Sequence, residues 1–136
     1  MKHSGVIVDA KIWIDFLKGR DTAEVGKLEQ LLAEETDVFI TGIIVQEILS
    51  GVKEKKDRAK VRKELEHFML INPTLETHIR AAEVFDACRK KGYTIRSIID
   101  CLIASLALEY DLTLLENDRD YGFISKVFPL MTFRNS

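Results

Sequence analysis

Val6-Ile7-Val8-Asp9-Ala10-Lys11-Ile12-Trp13-Ile14-Asp15-Phe16-Leu17 is the stretch that decides the fold. Three β-branched apolar residues followed by a carboxylate read as a buried strand that delivers Asp9 to the edge of a sheet. The apolar recurrence at Ile12, Trp13, Phe16 and Leu17 then predicts a short helix. In an open parallel sheet the carboxyl ends of the strands form the ligand crevice, so the rest of the chain is read for other carboxylates arriving at that edge.

Outward from this stretch, strands and helices alternate. Gly19 is placed to end the first helix, and Asp21 or Thr22 caps a second one with Val25, Leu28, Leu31 and Leu32 on its apolar face. Val38-Phe39-Ile40 is a second strand, followed after Thr41-Gly42 by a helix with Ile44, Val45, Ile48, Leu49 and Val52 inward and Glu47 at the margin. Lys53 to Lys63 holds seven basic residues in eleven, on a helix continuing to Phe68. Phe68 to Ile71 reads as a third strand, stopped by Asn72-Pro73. Thr74 caps a long helix with Leu75, Ile79, Ala82, Phe85 and Cys88 inward, ending at Lys90-Lys91-Gly92. Ser97 starts an apolar, central helix from Ile98 to Tyr110. Leu112 to Leu115 is a fourth strand, a short helical turn follows at Tyr121 to Ile124, and Val127 to Phe133 reads as a fifth strand. The expectation is a single α/β domain over residues 1–136, in three layers, with a mainly parallel sheet of about five strands covered by helices on both faces.

Composition narrows the function. The 136 residues carry a net charge of -2, so any contact with nucleic acid must use a local basic patch. Cys88 and Cys101 have no partner at metal-ligand spacing and read as buried hydrophobes in a reducing compartment. His3, His67 and His78 are scattered and suggest no ligand set. Met1 to Gly5 has no apolar signal segment and no run is long enough to span a membrane, so the expected location is cytoplasmic.

The chemistry lies in the acidic residues. Asp9 follows the first strand, Glu47 follows the second, and Asp118 with Asp120 follow the fourth. Asp100 opens the central helix and reaches the same edge if that helix runs antiparallel to the strands. Each has a plainer reading alone: a turn for Asp9, a solvated margin for Glu47, Asx-turns for Asp118 and Asp120, and a Ser97-x-x-Asp100 capping box for Asp100. Their joint placement is what turn chemistry does not explain. Carboxylates so gathered repel, and an all-oxygen set without His or Cys suits Mg²⁺ or Mn²⁺. The chemistry implied is phosphodiester hydrolysis. Asp15, Trp13 and Phe16 are read as structural, and the basic run as a solvated helix with pairs such as Glu54 to Arg58, or as an arm for RNA. A phosphoacceptor domain is disfavoured, because the third strand ends in Asn72-Pro73 and the fifth leads to no lysine.

Val8-Asp9-x-x-x-Trp13-Ile14-Asp15-Phe16-Leu17, Glu47 within Thr41 to Ile48, Ser97-Ile-Ile-Asp100-Cys-Leu-Ile-Ala104, and Leu114-Leu-Glu-Asn-Asp118-Arg-Asp120-Tyr121 together resemble the PIN domain family. More narrowly they resemble VapC-type ribonuclease toxins of toxin-antitoxin pairs, over essentially the whole chain. The resemblance implies a metal-dependent endoribonuclease in which Asp9, Glu47, Asp100 and Asp118 are catalytic and hold Mg²⁺ or Mn²⁺, with Asp120 a secondary or alternative ligand. Ser97 and Asn117 would assist as polar neighbours. It also implies a homodimer and inhibition by a cognate antitoxin. One position departs: two residues after the first aspartate the family often has Ser, Thr or Asn, and here stands Lys11, a candidate substrate contact. That departure sustains the alternative of a non-catalytic PIN-like module that binds RNA or protein.

Overall fold

β1 (Val6–Val8) lies inside the sheet, its three side chains wholly buried, flanked in parallel by β2 (Val38–Ile40) on one side and β4 (Thr113–Leu115) on the other. The computed structural model describes residues 5–134; Met1 to Ser4, expected to lead straight into this strand, lie outside the described residues. β3 (Met69–Leu70) pairs in parallel with β2, giving the order β3-β2-β1-β4. The register aligns Val6 with both Val38 and Thr113, and Val8 with Leu115. From β1 the chain steps one way to β2 and β3, then crosses to place β4 on the other flank. The switch point therefore falls between β1 and β4, where a doubly wound sheet opens its crevice.

Helices fill the connections: α1 (Ala10–Leu17) and α2 (Ala23–Ala33) between β1 and β2, α3 (Gly42–Ser50) and α4 (Lys55–Leu65) before β3, and α5 (Leu75–Lys90) and α6 (Ile98–Glu109) before β4. α7 (Arg119–Val127) follows the last strand. α1 packs with α2 and α3, and α5 with α6 and α7, forming the two helical groups of an α/β/α arrangement. The local signals act as their chemistry requires. Thr22 Oγ1 accepts from the Val25 N–H at 3.0 Å, and Thr74 and Thr77 form a reciprocal capping box. Gly19 and Gly92 carry the chain out of α1 and α5 at φ of +70° and +90°, where a side chain would be strained.

Three expectations need correction. Among the described residues the sheet has four strands; Val127 closes α7, and beyond it a single parallel bridge links Leu114 to Thr132, with the Leu114 N–H donating to Met131. Pro129 has no N–H to give a ladder there. In α5 the inward stripe is Thr77, Ala81, Val84 and Cys88, while Leu75 is 77% and Ile79 46% exposed. The reason is a polar lock: Thr77 Oγ1 donates to Glu109 at 2.7 Å and Ser105 Oγ donates to the Thr77 carbonyl at 3.0 Å, so small residues let α5 and α6 approach closely. The ion pair on α4 is Arg62–Glu66 at 3.7 Å rather than Glu54–Arg58.

Trp13 and Phe16 are structural as expected. Trp13 is buried, edge-on to Phe16 and 4.9 Å from the Phe68 ring, which ties α1 to the turn before β3. Its indole N–H has no partner. Trp13→Phe should therefore cost less than about 1.5 kcal/mol, since it removes a buried unpaired donor along with some contact area, whereas Trp13→Ala should cost ~3–5 kcal/mol by opening a cavity. Urea unfolding followed by circular dichroism measures both.

Candidate active site

Asp9 continues the ladder before it starts a helix. Its N–H donates to Leu115 at 3.0 Å and its carbonyl accepts from Ile12 and Trp13, yet its side chain makes no capping bond. The carboxylate is left for the crevice. Asp100 is likewise spared. Ser97 Oγ accepts from the Ile99 N–H at 3.2 Å, so the expected capping box does not engage Asp100.

The two carboxylates meet through a residue that pattern reading passed over. The hydroxyl of Tyr121, wholly buried on α7, lies 3.2 Å from Asp100 Oδ1 and 3.5 Å from Asp9 Oδ1, in position to donate to either. Burial and the two acids push its own ionisation well above the usual phenol range, so it remains a donor. Asp9 is pushed up to about 7, first by burial and then by repulsion from Asp100, with Glu47 and Asp118 adding to it. Asp100 is pushed up to about 6 by burial and by Asp118, against the bond from Tyr121.

Asp118 and Asp120 are organised by a cation instead. Arg96, in the loop before α6, donates through its backbone N–H and Nε to Asp120 Oδ2 at 2.9 and 3.2 Å, and through Nη2 to Asp118 Oδ1 at 2.8 Å. Asp118 also caps α7 by accepting from the Asp120 N–H, so its expected turn role and its place in the crevice coexist. A second clamp fixes the same loop: Arg134 forks onto buried Glu116 at 2.8 and 2.6 Å and donates to the Asp118 carbonyl at 2.9 Å, while the Asp118 N–H donates to Glu116. Arg96, Tyr121, Glu116 and Arg134 all escaped the sequence reading. Glu116 and Tyr121 left a local trace, as members of the acidic motif.

Oxygens of Asp100, Asp118 and Asp120 all lie within 4.8 Å of one another, a grouping that includes neither Asp9 nor Glu47. Asp120 is 1% exposed, with Oδ1 lacking any partner. Glu47 stands exposed on α3 at the rim of a groove shared with Lys11, Asp15 and Arg20; it is felt electrostatically by Asp9 and Asp100, and partial burial raises its own pKa. Lys11 is 3.5 Å from Asp15, whose carboxylate is held below its usual range chiefly by Arg20 at 2.7 Å. Ser97 caps α6, and Asn117 is exposed between Glu116 and Asp118. This donor set fits a hard divalent cation: it is all oxygen, it holds a buried unpartnered carboxylate oxygen, and two of its acids lack a compensating charge.

A four-stranded parallel sheet with acidic residues gathered at its switch point defines an α/β protein with a hydrophilic crevice at the carboxyl edge. The chain belongs to the PIN domain family, whose sequence profile matches residues 6–127. It is 27% identical over 124 residues to a VapC ribonuclease of Mycobacterium bovis and to ribonuclease VapC11 of Mycobacterium tuberculosis, an alignment covering 90% of this chain and 92% of each relative. Its fold is similar to that in the crystal structure of VapBC2 from Rickettsia felis bound to a promoter DNA fragment (TM-score 0.73, 21% identity, 93% of this chain and 96% of the other). It is similar also to that of FitAcB from Neisseria gonorrhoeae (TM-score 0.73, 19% identity, 94% and 96%).

The raised acids fix the pH dependence of the metal-free protein. A carboxyl that binds its proton more tightly folded than unfolded stabilises the fold at low pH, and that contribution falls from about pH 4 and is gone once pH passes the folded value. In EDTA the melting temperature should drop by several degrees between pH 5 and pH 8, and Asp9→Asn should flatten much of that drop in the same thermal scans.

Proposed function

We propose that the chain, as a single PIN domain over residues 1–136, is a Mg²⁺- or Mn²⁺-dependent endoribonuclease acting as the toxin of a toxin-antitoxin pair. The observation that carries this reading is the convergence of Asp9, Asp100, Asp118 and Asp120 from three separate segments on one crevice, together with similarity to VapC ribonucleases along nearly the full length of both chains. Asp9, Asp100 and Asp118 would hold the cation, with Glu47 and Asp120 as further donors. When bound, the cation supplies positive charge at the scissile phosphate and makes water a stronger acid.

The remaining work falls to the protein. Tyr121, as a neutral donor, keeps the Asp9 and Asp100 carboxylates facing each other. Arg96 fixes one oxygen of Asp118 and one of Asp120, so the orientation of both is set before substrate arrives. Glu47, exposed at the groove and with raised proton affinity, accepts the proton of the attacking water on its carboxylate. Lys11, tethered to Asp15, serves α1 more directly than the scissile phosphate.

A cognate antitoxin as partner draws support from the VapBC2 neighbour and from the similar fold of a toxin-antitoxin complex from Klebsiella pneumoniae. A homodimer draws support from the exposed Leu75, Ile79 and Ile98 beside an apolar groove of about 550 Å³ lined by Ile43, Pro73, Phe85 and Ile99. No described helix is long and apolar enough to cross a membrane, in keeping with action in the cytoplasm.

Asp9→Asn should lower RNA cleavage by at least ~100-fold with the melting temperature kept, and excess EDTA should abolish it; cleavage that survives either treatment overturns the reading. Tyr121→Phe keeps the ring in the core and deletes only the hydroxyl, and should weaken Mn²⁺ binding by about 10-fold in calorimetric titration.

A further inference from the structure

Beside the acidic crevice, on the β4 flank, lies an open cavity of about 500 Å³ whose walls come from α7 and the segment after it. Arg119, Lys126 and Arg134 bring three cations to it, Phe123 an aromatic face, and Ser125 a hydroxyl. The cavity joins the crevice through the backbone itself, because Arg119 follows Asp118 directly and Arg134 donates to the Asp118 carbonyl.

Its parts suit one chemistry. Tyr93 and Phe123 stack with ring centres 5.0 Å apart and planes 10° apart, and the Lys126 ammonium lies 5.4 and 5.8 Å from their centres. Arg134 is held rigid by its fork on Glu116, while Arg119 and Lys126 stand exposed. Gly122 supplies the floor. It sits inside α7 at ordinary helical φ, and a Cβ there would meet nothing within 4 Å, so the backbone has no need of glycine although glycine weakens the helix. A missing side chain at that point keeps the cavity open.

We infer that this cavity is the seat of single-stranded RNA flanking the cleaved bond, its cations taking backbone phosphates and its aromatic wall a base. An unstacked base can lie against a ring, whereas a duplex has none to offer. The basic run of α4 is the competing candidate by charge alone. It is placed differently: α4 leads into β3, at the opposite edge of the sheet from β4, roughly three strand spacings or ~14 Å away, and Glu64 and Glu66 dilute its charge.

The inference rests on the nuclease reading, and the test separates the two. In an Asp9→Asn background, with EDTA to keep the probe intact, a fluorescein-labelled single-stranded RNA of mixed sequence is titrated and anisotropy followed at several salt concentrations. Arg119→Ala with Lys126→Ala should weaken binding about 10-fold and lower the salt slope by ~1.4, for two phosphate contacts at ~0.7 each. Gly122→Glu should weaken it as much while melting no lower than its parent, which removes misfolding as the cause. Lys56→Ala with Lys60→Ala on α4 should change it less than about 2-fold. Unchanged affinity in the cavity variants, or a larger loss in the α4 pair, overturns the inference. If the chain with Asp9 intact cleaves RNA in Mn²⁺ while the cavity variants bind normally, the cavity assignment alone falls; if it neither binds nor cleaves RNA, the nuclease reading falls with it.

Discussion

Repulsion among carboxylates is the constraint around which this molecule is built. Five acids lie at or beside one crevice, and the protein meets their mutual charge in two different ways. On the Asp118–Asp120 side Arg96 is fixed in place by three hydrogen bonds, two from its guanidinium and one from its backbone N–H. On the Asp9–Asp100 side the donors are neutral, the hydroxyl of Tyr121 and the Ala10 N–H, and burial raises proton affinity. The asymmetry leaves Asp9 and Asp100 as the place where external positive charge gains most. Beneath it the central strand, Val6 to Val8, is buried on both faces and gives a stiff support to a group the fold would otherwise push away.

The fold was largely legible because its signals are local. The β-branched triplet at Val6 to Val8, the apolar one at Val38 to Ile40, caps at Thr22, Thr74 and Ser97, and glycines at 19 and 92 each act within a few residues of themselves. Reading failed where a distant partner decided. α5 turns Thr77 rather than Leu75 inward because Glu109 and Ser105 wait on α6, and no periodicity of α5 carries that information. The expected fifth strand had the right composition, but Pro129 and the placement of the chain past α7 left it one bridge.

The candidate site divides along the same line. Asp9, Asp100, Asp118 and Asp120 could be singled out because they stand at strand ends and helix starts, and Glu47 because it lies on the margin of the helix that follows a strand, positions a pattern reveals. Tyr121 and Arg96 could not, since each acquires its meaning from a partner many positions away: 112 residues separate Tyr121 from Asp9, and 24 separate Arg96 from Asp120. Asp15 shows the reverse case, a carboxylate inside the most informative stretch that serves to anchor α1 through Arg20.

The fork between Arg134 and Glu116 bears on how the molecule comes into being. Synthesis runs from the amino end, and domains begin to organise as the chain appears. β1, β2 and the helices between them can collapse early, yet the loop that presents Asp118 lacks its clamp until residue 134 has been made and has folded back to it. An acidic centre of this kind is then incomplete until a segment 18 positions beyond Glu116 has joined it. The order of assembly built into the fold thus makes the crevice a late product of folding, finished by a clamp that arrives after the strand that bears it.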